Sequence, residues 1–501
     1  MGIRTGRQYL ESLRDDREVY IDGERVRDVT ADARLCGGAS TTAEIFDLQH
    51  QAGLMEEMTM PSPASGERVA LSFIEPRNVA DLTRRGRAMK RTMDHVHGMF
   101  GRAPDFLNVT LTAFASAATV FDQGVRGAGF GRNVRAYYEH VREHDLALTH
   151  VLINPQVDRS RPIHQQEKVI ALRVVRETDS GFHVKGARLV GTLSQFANEI
   201  LVMPSAVVPN DAAAEEYSLG FALPVSTAGL KVLSRPSVAP ADPGHFLDYP
   251  LSLRFDEGDA VVVFDDVFVP WERTFIYRDP QLNNSIYQRT QATAHATHQS
   301  MIRALAKAEF MCGLACQLAE SIKVSEFPNV AGILSDLLIH VETQRALIYS
   351  AEQHATATPF GTVAPNRFTL GAAQLNFFHK FDAMVDAIRT IGAGGIVGVP
   401  SYAELQGPAA EEVREYFQSA NQTSEERIRL FRLAADACMS AFAARQQLYE
   451  RYYQGDPVRT KARFYAAYPK EELLGRITQT MEDMAQRAPR FESARLKRSC
   501  D

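Results

Sequence analysis

The chain has few cysteines, one tryptophan and no long apolar run. Its five cysteines among 501 residues are odd in number and scattered, which excludes a disulfide framework and favours buried free thiols. No apolar stretch approaches the roughly 20 residues that a membrane helix requires. The net charge of -6 is spread along the chain, and the one basic block is the short segment 495–498. Neither nucleic acid nor a membrane is therefore an expected partner.

The first residues lack the apolar core of a secretory signal, and we therefore expect a cytoplasmic protein. With 45% hydrophobic and 23% charged residues, the composition is that of an ordinary globular protein. A chain of this length is too long for one simple core, so we expect two or three domains.

Apolar spacing divides the chain into three regions. Helical spacing predominates over residues 1–148, short β-branched runs separated by turn residues occupy 149–280, and helical spacing returns over 281–501. We therefore predict an α+β fold with an N-terminal helical domain, a central antiparallel sheet domain and a C-terminal helical bundle. The bundle includes long amphipathic patterns such as 424–453, and helices of this length usually bury surface against a neighbour, often another subunit.

Two short strings combine unusual residues: GRAPDF at 101–106 and LTHVLINPQVDR at 148–159. Each places a cation or an imidazole beside a loop rich in backbone hydrogen-bond donors. Together they resemble the two-component, FADH2-dependent aromatic hydroxylases typified by the large oxygenase component of 4-hydroxyphenylacetate 3-monooxygenase, a family related to chlorophenol monooxygenases. The resemblance covers nearly the whole chain and implies an acyl-CoA dehydrogenase-like fold with a β-barrel-like central domain, assembled as a homotetramer.

The resemblance also implies a reaction. Enzymes of this family hydroxylate a phenolic or related heteroaromatic substrate ortho to its hydroxyl group, using FADH2 and O2 through a C4a-hydroperoxyflavin. The resemblance favours FAD as the cofactor. No Gly-x-Gly-x-x-Gly fingerprint follows a predicted strand, so no nicotinamide site is indicated. We expect a separate NAD(P)H:flavin reductase to supply the reduced flavin.

Arg102 and His150 match the family positions that activate the substrate, and we interpret both as catalytic and substrate-binding. A guanidinium favours a phenolate by its opposite charge, and a neutral imidazole can accept the phenol proton because its pKa lies near the operating pH. From the residue types alone, the alternatives are an arginine in a surface ion pair and a hydrogen-bonded histidine in the core.

Phe106 departs from the family pattern. Members that hydroxylate 4-hydroxyphenylacetate resemble Gly-Arg-x-Pro-Asp-Tyr, so a phenolic hydroxyl that would help to hold the substrate oxygen is missing here. The departure leaves the substrate open between a chlorinated phenol, a tyrosine-derived unit on a carrier and a hydroxylated heteroaromatic intermediate. We expect Phe106 to line the substrate site, and Ser205 in a later loop is a further candidate for substrate contact.

Three other segments match positions that lie on the flavin in similar proteins. The turn that ends the second string exposes backbone NH groups, a Thr-x-Ser sequence follows a predicted strand, and a turn after residue 453 interrupts a helical pattern. An ordinary turn and water-facing hydroxyls are the alternatives. The predicted cofactor-binding residues are Gln156, Val157, Asp158, Arg159, Thr192, Ser194, Gln454, Gly455, Asp456 and Pro457.

Other interpretations of the same fold stay open. A 4-hydroxybutyryl-CoA dehydratase needs an iron-sulfur cluster held by cysteines, and residues 90–110 contain none. An acyl-CoA dehydrogenase needs a glutamate base that we cannot place, and a non-catalytic scaffold is a further hypothesis. His295 and His298 are spaced for a metal, but a helix face that pairs charges is favoured, and we predict no metal site.

Overall fold

The computed structural model of the chain describes residues 2–124, 126, 129–155, 157–158, 160–204 and 207–498, with side chains as far as residue 489. The chain divides into two units, Met1–Tyr453 and Gln454–Asp501. Within the described ranges, no helix combines the length and the apolar character needed to cross a bilayer.

Helices are the main regular elements of the first 148 residues. They are α1 (Gly6–Ser12), α2 (Cys36–Leu48), α3 (Met55–Met58), α4 (Val79–His95), α5 (Pro104–Ser116) and α6 (Phe130–His144). The side chain of Asn78 caps α4 by accepting a hydrogen bond from the Asp81 backbone NH at 2.9 Å. α5 begins with Pro104, which lacks the NH that a first helical turn leaves without a partner. Because α5 is buried all round from Pro104 to Ala115, no polar face marks its period in the sequence.

Most strands lie between residues 148 and 277. The strands are β1 (Glu18–Ile21), β2 (Glu24–Val26), β3 (Thr59–Pro61), β4 (Arg68–Ala70), β5 (Leu148–Val151), β6 (Arg173–Thr178), β7 (Gly181–Arg188), β8 (Glu199–Val202), β9 (Leu219–Pro224), β10 (Leu230–Ser234), β11 (Ala260–Pro270), β12 (Thr274–Tyr277), β13 (Thr356–Ala357) and β14 (Val363–Ala364). β3 pairs with β4, and β13 pairs with β14, in separate two-stranded ladders.

Two larger sheets form the central region, with the orders β2-β1-β10-β11-β7-β6 and β12-β9-β8-β5. Most pairings are antiparallel, but β1 pairs with β10 and β5 pairs with β8 in parallel. Along β11, Val262 and Phe264 are buried, and a register shift before Val267 keeps the inward face apolar. Among the described residues these strands form open sheets, and a closed barrel is not present.

β1 and β2 add two strands to a region that the apolar spacing predicts as helical. They contain four and three residues, which is too short for a clear alternation in the sequence. β1 reaches the central sheet by pairing with β10, more than 200 residues later. The predicted domain boundaries at 148/149 and 280/281 stay predictions.

The remaining helices of the first unit are α7 (Ser252–Phe255), α8 (Pro280–Arg289), α9 (Ala292–Ser321), α10 (Pro328–Gln353), α11 (Arg367–Val397), α12 (Ala410–Tyr416), α13 (Ser424–Cys438) and α14 (Ala441–Tyr452). α9 is buried along most of its length and packs against α4, α5, α10 and α11. The pattern at 424–453 forms two helices. Met439 leaves the helical conformation, and Ser440 caps α14 by accepting from the Ala443 NH at 3.1 Å.

The second unit contains α15 (Pro457–Ala467) and α16 (Glu471–Arg498). None of the described side chains of these two helices is buried. Large apolar side chains are exposed along α16 at Leu473, Leu474, Ile477, Met481 and Met484. Amphipathic helices of this kind are stabilised by packing their apolar face against another surface.

Candidate active site

Arg102 lies at the N-terminal end of α5, two residues before its first residue. The residue is 9% exposed, and its backbone NH donates to Glu257 Oε1 at 2.7 Å. The guanidinium carbon lies 4.3 Å from the centre of the Phe106 ring, one helical turn along the chain. The start of α5 therefore positions both the backbone and the side chain of Arg102.

The hydrogen-bond acceptors of the Arg102 guanidinium are uncharged. Nη1 donates to the Tyr449 hydroxyl at 2.5 Å and to the Gly101 carbonyl at 3.2 Å. In the part of the chain that the structure describes, no carboxylate forms an ion pair with this guanidinium; Glu257 directs its second oxygen to Arg445 instead. A buried cation without a counter-ion is costly, and this is the arrangement expected where an anionic ligand completes the site.

His150 lies in β5, an edge strand of the second sheet. Its ring meets the Phe106 ring edge to face, with 5.5 Å between the ring centres and an angle of 89°. Burial, and then the charge of Arg102, hold the pKa of His150 well below its ordinary value, so the imidazole is neutral at neutral pH. Neither ring nitrogen has a hydrogen-bond partner among the described residues. A lone pair on this ring is therefore available to a ligand. The pKa of His150 does not lie near the operating pH, contrary to the prediction from the sequence, because burial and the charge of Arg102 lower it.

We call Arg102, Phe106 and His150 the Arg–His cluster. The two sequence strings predicted that these residues meet, and the structure brings them together around the Phe106 ring. Arg102 is not at the surface, and within the described ranges it forms no ion pair and the His150 side chain forms no hydrogen bond. Neither residue therefore fits its structural alternative, while the catalytic roles themselves stay predictions.

Arg445 of α14 connects the cluster to two carboxylates that precede β11. Its guanidinium donates to Glu257 Oε2 at 2.7 Å and to both oxygens of Asp259 at 2.8 and 3.1 Å. Burial acts to raise the pKa of Asp259, but the charge of Arg445 holds that pKa well below its ordinary value. Because Glu257 also accepts the Arg102 backbone NH, one carboxylate joins α14 to the start of α5.

Glu450, which follows Tyr449 in α14, is held by two buried cations of α9. Arg303 donates to the two Glu450 oxygens at 2.5 and 2.7 Å, and Lys307 donates to one of them. Burial acts to raise the pKa of Glu450, but the two cations lower it to about 2. Burial lowers the pKa of Lys307 to about 8. These ion pairs fix α14 against α9 and so fix Tyr449 beside Arg102.

Sequence reasoning missed these residues of α14 and the carboxylate of Glu257. The only signal was weak: Arg445 and Tyr449 are four residues apart and share a helix face, which is typical of an exposed polar helix. The contacts that bury this face come from residues more than 100 positions away, and no local pattern reveals them.

Comparison with known proteins assigns the chain to a family. Residues 5–276 match the family model described as 4-hydroxyphenylacetate 3-hydroxylase N terminal, and residues 283–482 match the corresponding C terminal model. The chain belongs to the 4-hydroxyphenylacetate 3-hydroxylase family. This result confirms the resemblance carried by the two sequence strings.

Individual relatives cover almost the whole chain. The chain is 38% identical over 476 residues to the 4-hydroxyphenylacetate 3-monooxygenase oxygenase component of Thermus thermophilus, covering 95% of this chain and 96% of that protein. It is 30% identical to the 4-nitrophenol 2-monooxygenase oxygenase component of a Rhodococcus species, covering 90% of this chain and 86% of that one. A crystal structure of the oxygenase component of 4-hydroxyphenylacetate 3-monooxygenase, complexed with FAD and 4-hydroxyphenylacetate, matches with a TM-score of 0.91 at 37% identity, covering 96% and 99%.

In this member of the 4-hydroxyphenylacetate 3-hydroxylase family, the predicted flavin residues Thr192 and Ser194 lie in the turn between β7 and β8. The Thr192 hydroxyl donates to Asp259 Oδ1 at 2.8 Å, and the Ser194 hydroxyl donates to a backbone carbonyl three residues earlier at 2.8 Å. Both oxygens keep lone pairs that can accept a hydrogen bond from a ligand. Val190 and Leu193 have φ values of 58° and 66°, a left-handed conformation that is costly for side chains of this size. The flavin role of this strained turn stays a prediction.

The other predicted flavin and substrate residues are distributed over two regions. Gln156, Arg159 and Ser205 lie outside the described residues. Val157 is exposed, and the Asp158 carboxylate accepts hydrogen bonds from the NH and the hydroxyl of Ser160 at 2.9 and 2.6 Å.

The turn Gln454, Gly455, Asp456 and Pro457 opens the second unit. Gly455 has a φ of 105°, which only glycine adopts readily, and Asp456 caps α15 by accepting from the Arg459 NH at 2.9 Å. Pro457 is the first residue of α15. Contact between this turn and a flavin stays a prediction.

Arg188, at the end of β7, is a second buried arginine that forms no ion pair within the described ranges. Its Nη1 donates to the Leu152 carbonyl at 2.6 Å, and its Nε has no partner there. Burial lowers the pKa of Arg188 to about 10. Leu152 lies four residues before Gln156, the first predicted flavin residue of the second string. An unpaired cation, two hydroxyl acceptors and a strained turn suit a flavin nucleotide with its anionic diphosphate.

His295 and His298 pair with charged groups on neighbouring helices. Arg85 Nη2 lies 2.7 Å from His295 Nδ1, and Glu352 Oε1 lies 2.8 Å from His298 Nε2. Across the described part of the chain, no three His, Cys, Asp or Glu side chains are grouped as metal ligands. These contacts describe a buried, charge-pairing helix face.

Proposed function

We propose that this chain is the oxygenase component of a two-component enzyme that hydroxylates a phenol ortho to its hydroxyl group. The observation that carries the proposal is the buried Arg102 guanidinium, whose described partners are a hydroxyl and a carbonyl, beside a neutral imidazole. A phenolate carries the charge and the hydrogen-bonding oxygen that this pair would complement. Reduced FAD, when bound, would supply the activation of dioxygen.

Each residue of the Arg–His cluster has its own role toward the substrate. A ring nitrogen of His150 accepts the proton of the phenol, and Arg102 stabilises the resulting phenolate by its charge. The charge of the phenolate in turn opposes the burial and the Arg102 charge that lower the pKa of His150. Ionisation of the oxygen raises the electron density at the ortho carbon, where the new oxygen atom enters. The buried Phe106 ring packs against both groups and helps to exclude water. Ser205 is a proposed further substrate contact.

Several chain segments would hold the reduced FAD. Thr192 and Ser194 offer hydroxyl acceptors in the strained turn after β7, and Arg188 offers a guanidinium without a described ion pair at the end of that strand. The remaining proposed contacts, at Gln156, Val157, Asp158, Arg159, Gln454, Gly455, Asp456 and Pro457, follow from the family pattern.

The proposal includes partners. The relatives are described as oxygenase components, which supports a separate NAD(P)H:flavin reductase as the source of FADH2. The exposed apolar face of α16 supports assembly with further copies of the chain, and we propose a homotetramer in the cytoplasm. The substrate is a small aromatic compound, either free or linked to a carrier.

Hydroxylation with chemically supplied FADH2 tests this function without the reductase. The purified chain is mixed with FADH2 and ¹⁸O2 in the presence of 4-hydroxyphenylacetate, 4-nitrophenol or a chlorinated phenol, and products are identified by mass spectrometry. We expect at least one phenol to gain a single ¹⁸O atom ortho to its hydroxyl group. A reaction with oxidised FAD is the control. Formation of hydrogen peroxide alone with every phenol would contradict the proposal.

A further inference from the structure

The hydroxyl of Tyr449 is the phenolic group nearest to the charge that we assign to phenolate binding. Its oxygen accepts a hydrogen bond from Arg102 Nη1 at 2.5 Å. Burial raises the pKa of Tyr449, so the hydroxyl keeps its proton at neutral pH. Among the described residues, this proton has no acceptor. Tyr449 can therefore hold Arg102 and still donate to a ligand beside it.

The surroundings of Tyr449 are built to keep this contact. A Cβ at Gly101 would lie 2.2 Å from the Tyr449 oxygen, so only glycine at that position lets the hydroxyl approach. Within α14, Arg445 precedes Tyr449 by one turn and is held by the carboxylates before β11. The next residue, Glu450, is held by the cations of α9. Ion pairs on both sides of Tyr449 thus leave its ring little freedom.

We infer that Tyr449 is a positioning residue of the proposed reaction: it orients the Arg102 guanidinium and donates a hydrogen bond to the oxygen of the bound phenol. The inference rests on the proposed function. Phe106 cannot make this contact because it carries no hydroxyl, so the phenolic group of this site comes from α14. Two donors on one oxygen, from Arg102 and from Tyr449, would favour the ionised phenol over the neutral one.

Tyr453 offers a matched control. Its ring is stacked on the Tyr449 ring, with 4.7 Å between the ring centres and 5° between the planes, but its hydroxyl has no hydrogen-bond partner within the described ranges. Tyr449→Phe and Tyr453→Phe therefore remove the same atom from neighbouring rings, and only the first removes a contact with Arg102.

The test compares the two variants by steady-state kinetics and by the colour of bound 4-nitrophenol, whose ionised form absorbs visible light. We expect Tyr449→Phe to lower kcat/KM by about tenfold to a hundredfold, the effect of a hydrogen bond to a charged group. The pKa of bound 4-nitrophenol should rise, and the pH profile of kcat/KM should shift toward higher pH in the same variant. Tyr453→Phe should keep wild-type values.

Three results would overturn the inference. The first is a Tyr449→Phe variant that behaves like Tyr453→Phe, and the second is a loss of kcat/KM without a change in the pKa of bound 4-nitrophenol. If Tyr449→Phe does not fold, Gly101→Ala displaces the same hydroxyl and should raise the pKa of bound 4-nitrophenol. The third result is a Gly101→Ala variant in which that pKa does not change. Absence of hydroxylation by the wild-type chain would instead refute the proposed function, and the nitrophenol titration would still test Tyr449.

Discussion

Replacing Arg102 by glutamine should change the ionisation of a phenol bound to the Arg–His cluster. The variant keeps a polar, hydrogen-bonding side chain, although a shorter one, and removes the buried charge, which no described carboxylate cancels. A hydrogen bond to a charged group contributes about 1.5 to 3 kcal/mol, and one pKa unit corresponds to about 1.4 kcal/mol. The pKa of a bound phenol should therefore rise by about one to two units in Arg102→Gln relative to the wild type.

The same substitution should also act on His150. The positive charge of Arg102 helps to hold the pKa of His150 down, so its removal should raise that pKa. The pKa of the bound phenol and the pKa of His150 should therefore both rise.

The assay is a pH titration of 4-nitrophenol bound to excess protein, followed by its visible absorbance and needing no flavin. Arg91→Gln is the matched control, because Arg91 is a half-exposed arginine of α4 paired with Glu57. It should leave the nitrophenol titration unchanged. An Arg102→Gln variant that binds 4-nitrophenol with the wild-type pKa would refute the reasoning.

The remaining predictions concern stability, pH and specificity. Glu450→Gln leaves two buried cations without their carboxylate and should lower the free energy of unfolding by about 3 to 5 kcal/mol; a loss below about 1 kcal/mol in urea unfolding would contradict this. Burial lowers the pKa of His340 to about 4, so the unfolded chain binds its proton first as the pH falls below 6.5. Between pH 7 and pH 5 the free energy of unfolding of the wild type should therefore fall by about 2 kcal/mol more than that of His340→Gln. Equal losses in the two proteins would contradict this prediction. Phe106→Tyr should raise kcat/KM for 4-hydroxyphenylacetate relative to 4-nitrophenol, and an unchanged ratio would count against a role of this side chain in specificity.

The sequence predicted site residues where they lie in short contiguous motifs. The strings around Arg102 and His150 predicted that these residues share a site, and the structure places both against Phe106. Local sequence was uninformative for α5, because a helix buried on every side has no polar face. It was also misleading at 424–453, where a single serine cap divides one amphipathic pattern into α13 and α14.

The contacts that complete the site depend on distant parts of the chain. Tyr449 reaches Arg102 across 347 positions, and Glu257 reaches it across 155. A tyrosine in a helix and a glutamate before a strand have many ordinary functions, so neither residue type predicts this contact. The strained turn at Val190 was likewise invisible, because valine and leucine rarely adopt the left-handed backbone conformation that the structure gives Val190 and Leu193.

The hydroxylation yield of Arg102→Ala and His150→Ala, measured with chemically supplied FADH2 and a phenol that the wild type hydroxylates, tests the central claim most directly. If the two residues ionise the substrate, each variant should consume oxygen but release hydrogen peroxide in place of most of the hydroxylated product. Full yield in both variants would contradict the account.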